Sequence, residues 1–180
     1  MDRRTIREGT GRLAMALGLG MSLGMSLGVA PLALAEEGIQ GSLDGEARQW
    51  YILRHGDDSN ASFTDLGGLY AVDLMGFVEP DAWRTREALS ISFTLMGEEV
   101  TEFDVVHLIG HSALPPVYTS EAAEVTLTLE AFEVRGPVAR VAGRVVGTLA
   151  LQQVLGEPPS LEEGIAIDVR FEAEAERVEF

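Results

Sequence analysis

The sequence predicts an all-β fold, a single antiparallel β-sandwich of seven to eight strands, on three observations. Apolar residues recur with a period of two along most of the chain, clusters of turn-forming residues separate these runs, and no long segment carries an amphipathic helical stripe. A small β-barrel is the alternative, because the same alternation serves a sheet that closes on itself.

Residues 1–35 read as a cleavable signal peptide. Arg3, Arg4, Arg7 and Arg12 precede an apolar run from Leu13 to Leu34, and Ala33 and Ala35 supply the small residues before Glu36. Gly18, Gly20, Gly24, Gly28 and Pro31 dilute the run and Glu36-Glu37 follows it, which favours cleavage over a retained membrane anchor. Arg3-Arg4-Thr5-Ile6 resembles the twin-arginine export signal, a route that carries folded chains. The expected location is therefore the periplasm or the cell exterior, with no stable membrane anchor after cleavage. Residues 36–41 are expected to be a loose lead-in and residues 42–180 one β-sandwich domain.

Strands are expected at 48–54, 69–78 and 102–109, bounded by Asp57-Asp58-Ser59-Asn60, Pro80-Asp81 and Leu114-Pro115-Pro116. At Leu89, Ile91, Phe93 and Leu95 one face is apolar while Ser90, Ser92 and Thr94 face away, the mark of a half-buried strand. A strand from Val125 through Leu127 and Leu129 changes phase at Phe132 and Val134, which predicts a bulge near Ala131. Residues 139–151 place Arg140 and Arg144 on the outer face, and the last strand sets Asp168, Glu172 and Glu174 outward with Ile165, Ile167, Val169, Phe171 and Ala173 inward. Pairing of these two strands brings arginines to acids, at about 0.2–1 kcal/mol per pair. Short helical turns are expected only at 80–88 and 159–163.

Charge narrows the functional classes. The chain has 29 acidic residues against 13 basic ones, all arginine, and no cysteine. Two of the acids and four of the arginines fall in residues 1–35, which leaves 27 acids, 9 arginines and a formal charge near −18. Such a surface repels phosphate backbones and anionic lipid, so nucleic-acid partners are excluded. Lacking disulfides, the domain is held by packing alone.

The chemical motifs are sparse. His107 to Leu114 resembles the nucleophile elbow of the α/β-hydrolase family, with Gly110 and Ser112 in place. Leu114 stands where that turn needs glycine, Pro115-Pro116 forbids the helix that follows it, and no histidine lies downstream. The resemblance therefore implies no hydrolase. His55, His107 and His111 with Asp104 or Glu102 form a conceivable metal set, although His107 and His111 lie about 13 Å apart along a strand unless Gly110 turns the chain. Asp57, Asp58, Asn60, Ser62 and Asp65 are rich in oxygen but lack the glycine and closing glutamate of a calcium loop, so a polar turn is expected. Among the aromatics, Trp50 and Tyr51 must point to opposite faces, one into the core and one outward. Trp83 falls in a connection, where its ring either plugs the sheet or stacks on a ligand.

Val141-Ala142-Gly143-Arg144-Val145-Val146-Gly147-Thr148-Leu149, with Ile167-Asp168-Val169-Arg170-Phe171 and Gly41-Ser42-Leu43-Asp44-Gly45-Glu46, resembles small exported bacterial β-sandwich proteins of unknown function. That resemblance implies architecture and export, and no site residues. The reading reached is a non-catalytic binding, accessory or structural module of the bacterial envelope, without a cofactor. Trp83, Trp50 and Tyr51 are its candidate surface for a glycan, a peptide or an envelope protein. One alternative is a metal protein or metal-dependent enzyme with a divalent ion on His55, His107, His111 and Asp104. Another is a homo-oligomer assembled through edge strands.

Overall fold

The computed structural model describes residues 37–55 and 58–179, so the expected signal peptide and Asp57 lie outside the described residues. Every regular element among the described residues is a strand. In order they are β1 (Gly38–Leu43), β2 (Glu46–Ile52), β3 (Arg54–His55), β4 (Asp58–Ser59), β5 (Ala61–Asp65), β6 (Leu69–Phe77), β7 (Leu89–Met96), β8 (Glu99–Leu108), β9 (Val117–Arg135), β10 (Val138–Gln152) and β11 (Ser160–Arg177). β3 and β4 form a small hairpin, and the other nine share one hydrogen-bonded sheet.

That sheet folds into two layers. β2, β1, β11, β10 and β9 are neighbours in one, and β5, β6, β7 and β8 in the other. The layers are stitched where Tyr51 and Ile52 meet Phe77 and Gly76, where Glu176 and Arg177 run parallel to Ser62 and Phe63, and where Val106–Leu108 meets Val117–Thr119. Short, uneven seams of this kind make the fold sandwich-like rather than a regular barrel. Aromatic pairs cross the interior, with ring centroids 6.1 Å apart for Phe93 and Phe171, 5.1 Å for Tyr70 and Phe132, and 6.4 Å for Trp50 and His107.

Alternation explains the best-formed strands. Leu89, Ile91, Phe93 and Leu95 are buried while Ser90, Ser92 and Thr94 are not, and Ile167, Val169, Phe171 and Ala173 repeat the pattern in β11. Arg144 donates to both Asp168 oxygens, from Nε at 2.9 Å and from Nη2 at 2.7 Å, and Arg140 donates to Glu172 at 2.8 and 3.1 Å. These pairs are diagonal, because Arg144 lies directly opposite Arg170 and Arg140 opposite Glu174. The predicted bulge is present: Ala142 faces Ala131 and Gly143 faces Leu129, leaving Glu130 as the extra residue.

Several expectations are corrected. The lead-in is strand β1, paired on both sides with β2 and β11, and the backbone at Gly41 has φ +156° and packs so close to Asp168 that a Cβ would overlap its carbonyl oxygen. Glycine permits that approach, and the sparse apolar residues of β1 hid it. Residues 80–88 contain no helix, and the turn expected at 159–163 is the start of β11. Within the oxygen-rich stretch, Asp58 and Ser59 form β4 and pair with β3, and Ser62 and Asp65 belong to β5, where Ala61 and Phe63 are buried. The strand expected from residue 125 begins at Val117.

Candidate binding surface at one end of the sandwich

Trp50 and Tyr51 sit on β2 as alternation requires. Trp50 is 1% exposed and belongs to the core, so it cannot stack on a ligand, while Tyr51 is half-buried beside Leu53, Phe77 and Leu108. Close packing explains the position of the indole, since Gly76 of β6 lies directly beneath it and a Cβ there would come within 2.6 Å of Trp50 Cβ.

The connection from β6 to β7, residues 78–88, crosses this end. Trp50 Nε1 donates to the Glu87 carbonyl at 2.8 Å, Leu108 N–H donates to the Ala88 carbonyl at 2.9 Å, and Thr85 Oγ1 donates to the His111 carbonyl at 2.9 Å. Glu87 adopts φ +58°, an unusual conformation for a residue with a side chain, and its carboxylate meets Arg48 Nη1 at 3.2 Å. Arg84 in turn reaches Glu79 at 3.1 Å. Val78, Glu79, Arg84, Arg86, Glu87 and His111 line a depression of about 280 Å³. Trp83 lies in the same connection, 50% exposed, with its ring 6.2 Å from Phe77 at a 40° tilt. It rests on the end of the sheet and leaves half of its surface to solvent.

His107 lies behind this connection. It points inward from β8, 9% exposed, with Trp50 edge-on at 6.4 Å and Tyr118 at 6.2 Å. Its Nδ1 is buried without a hydrogen-bond partner. Burial lowers its pKa below the ordinary 6.5, the nearby Glu87 carboxylate raises it in part, and Arg48 lowers it further. The imidazole is thereby held neutral.

The metal candidates are placed apart. His55 is exposed on β3, and His111 is exposed in the bend after β8. Asp104 stands three residues from His107 on β8 and points outward, where it accepts from Ser120 Oγ at 2.7 Å. Among the described residues no group of three or more histidine, aspartate or glutamate side chains is arranged to hold a metal ion. Ser112, the residue of the hydrolase-like motif, accepts the Leu114 N–H at 3.0 Å within a turn. In the oxygen-rich stretch, Asp65 accepts Gly67 N–H at 3.0 Å and Ser59 accepts Ala61 N–H at 3.1 Å. Their oxygens fix the backbone.

A feature that sequence reasoning missed lies where β9 leaves β8. β9 pairs with both β8 and β10 only over Val117–Thr119. Ser120 Oγ then takes the Val105 N–H at 2.8 Å in place of a backbone carbonyl, and Ala122 turns through φ +54°. Beyond this point β9 pairs with β10 alone among the described residues. Its inward residues Val125, Leu127, Leu129, Phe132 and Val134 are consequently half-buried although they pack on the core. Alternation in the sequence reveals the strand, whereas loss of its second neighbour depends on Ser120 and Ala122. No protein-family model, curated protein or solved structure matches the chain.

Proposed function

We propose that this chain is an exported, acidic β-sandwich that acts as a non-catalytic binding module of the bacterial envelope, with a glycan as its ligand. One observation carries the reading: Trp83 presents half of its ring beside a depression rimmed by paired charged groups, Glu79 with Arg84 and Glu87 with Arg48. A half-exposed indole offers a flat apolar face to a sugar ring, and the surrounding carboxylates and guanidinium groups offer acceptors and donors to its hydroxyls. The arginine-led apolar segment at residues 1–35 supports export.

Two tryptophans make the test simple. Trp50 is shielded and Trp83 is open, so acrylamide quenching reports almost entirely on Trp83. Titration with neutral and acidic oligosaccharides is expected to protect Trp83 from quencher with a saturable curve. Trp83→Ala is expected to weaken binding by at least about tenfold and to lower the unfolding midpoint modestly, since half of the ring packs on Phe77, while the circular dichroism spectrum stays that of the folded protein. Failure of every oligosaccharide to protect Trp83 would refute the glycan reading.

A further inference from the structure

We propose that the open edge of β9, residues 124–135, docks a basic, extended segment of a partner polypeptide as an added β-strand. The inference is independent of the glycan reading, because residues 124–135 include none of the residues that line that depression.

Three observations combine. First, over the twelve residues from Glu124 to Arg135, beyond its last contact with β8 at Thr119 and Ser120, β9 has β10 on one side only among the described residues. In an antiparallel ladder alternate residues direct their N–H and C=O groups away from the paired neighbour, so this edge offers a row of unused donors and acceptors. Second, the inward side of that edge is apolar and half-buried, and Val100 and Phe103 of β8 are likewise half-buried against the core on the facing layer. An added strand would place alternate side chains over this apolar floor and complete its burial. Third, charge selects the occupant. Glu121, Glu124 and Glu130 are exposed along β9, and Glu99, Glu102 and Asp104 are exposed along β8.

A second copy of this chain would bring the same acids against each other, which like-charge pairing opposes. A strand alternating arginine or lysine with apolar residues satisfies both faces, with cations toward the acidic rims and aliphatic groups inward. The bulge at Glu130 interrupts the ladder once and divides the edge into two shorter pairing segments.

The test is amide hydrogen exchange on the whole chain with a peptide of alternating arginine and valine, about as long as the open edge. Expected is saturable slowing of exchange within residues 124–135 by at least about tenfold, weakened by salt. A peptide of the same sequence methylated on its outward backbone nitrogens, and one with glutamate for arginine, are expected to give no slowing. The variant Glu124→Arg/Glu130→Arg, which alters only exposed side chains, is expected to lose the basic peptide and keep its fold by circular dichroism. Equal slowing by the methylated peptide would overturn strand addition in favour of charge alone. Concentration-dependent slowing without any peptide, with a dimer in sedimentation, would assign the edge to a second copy and overturn the proposal. No slowing with the basic peptide would refute it outright.

Discussion

Replacing His107 by phenylalanine should stabilise the protein, and the size of the gain should depend on pH in a defined way. The imidazole is 9% exposed and leaves Nδ1 buried without a partner, between Trp50 and Tyr118. An unsatisfied buried polar atom costs about 1–3 kcal/mol. Phenylalanine keeps the ring and both aromatic contacts while removing that atom, and its slightly larger ring returns up to about 1 kcal/mol as crowding. Near pH 8 the net gain is therefore about 1 kcal/mol.

Below that pH, linkage adds to the gap. Burial is the main cause that lowers the pKa of folded His107 below 6.5, so between the two values the unfolded chain binds a proton that the folded chain refuses. The contribution of His107 is fully present above the unfolded value and declines as pH falls toward the folded one. Wild type should accordingly lose up to about 1.4 kcal/mol per pH unit relative to the variant in that window. Urea unfolding of both proteins from pH 8 to pH 5 measures the gap directly, and taking the difference cancels the acids common to both chains. A gap that stays constant or narrows as pH falls would show that the imidazole is solvated, and the account of this end of the sandwich would fail with it.

The remaining predictions concern other parts of the fold. Gly76→Ala puts a methyl 2.6 Å from Trp50 Cβ and 3.1 Å from Ile39 Cδ1, so a loss of about 1–3 kcal/mol is expected in the urea midpoint at unchanged m, whereas a neutral result would mean that the indole does not lie over Gly76. For Asp168, the hydrogen bonds from Arg144 hold the carboxyl below its ordinary 3.8, against a smaller opposing effect of burial, so this ion pair stabilises above that pH and fades as pH falls beneath it. Asp168→Asn should therefore melt lower than wild type at neutral pH, and the two curves should converge in strong acid. A constant difference down to the acid limit would place the effect of the substitution outside the ion pair.

Much of the sandwich was legible because β7 and the second half of β11 alternate cleanly and β10 does so in part. Their inward residues could be named from period alone, and the phase change between Leu129 and Phe132 announced the bulge. β1 escaped because only Ile39 and Leu43 mark it, while Gly38 and Gly41 read as loop although close backbone approach requires them. β5 was concealed by neighbouring acids, its buried residues being only Ala61 and Phe63. At the candidate surface, His107 follows the alternation of β8 and turns inward with Val105. The bond from Trp50 to Glu87 spans 37 positions, and nothing local to either residue encodes it. Exposure of Trp83 likewise depends on Phe77 beneath it, in a different element.

The placement of β1 has a consequence for how the chain reaches this structure. The first strand made lies between β2 and β11, with Gly38 opposite Glu172 and Leu43 opposite Ile167. Synthesis must therefore deliver almost the whole domain before the layer that carries Trp50 can close, and until β11 emerges the β1–β2 and β9–β10 hairpins of that layer stay unjoined. Closing so long a loop favours slow folding from a released chain over stepwise folding during synthesis. Truncation anywhere before β11 removes the neighbour of the first strand along with the last.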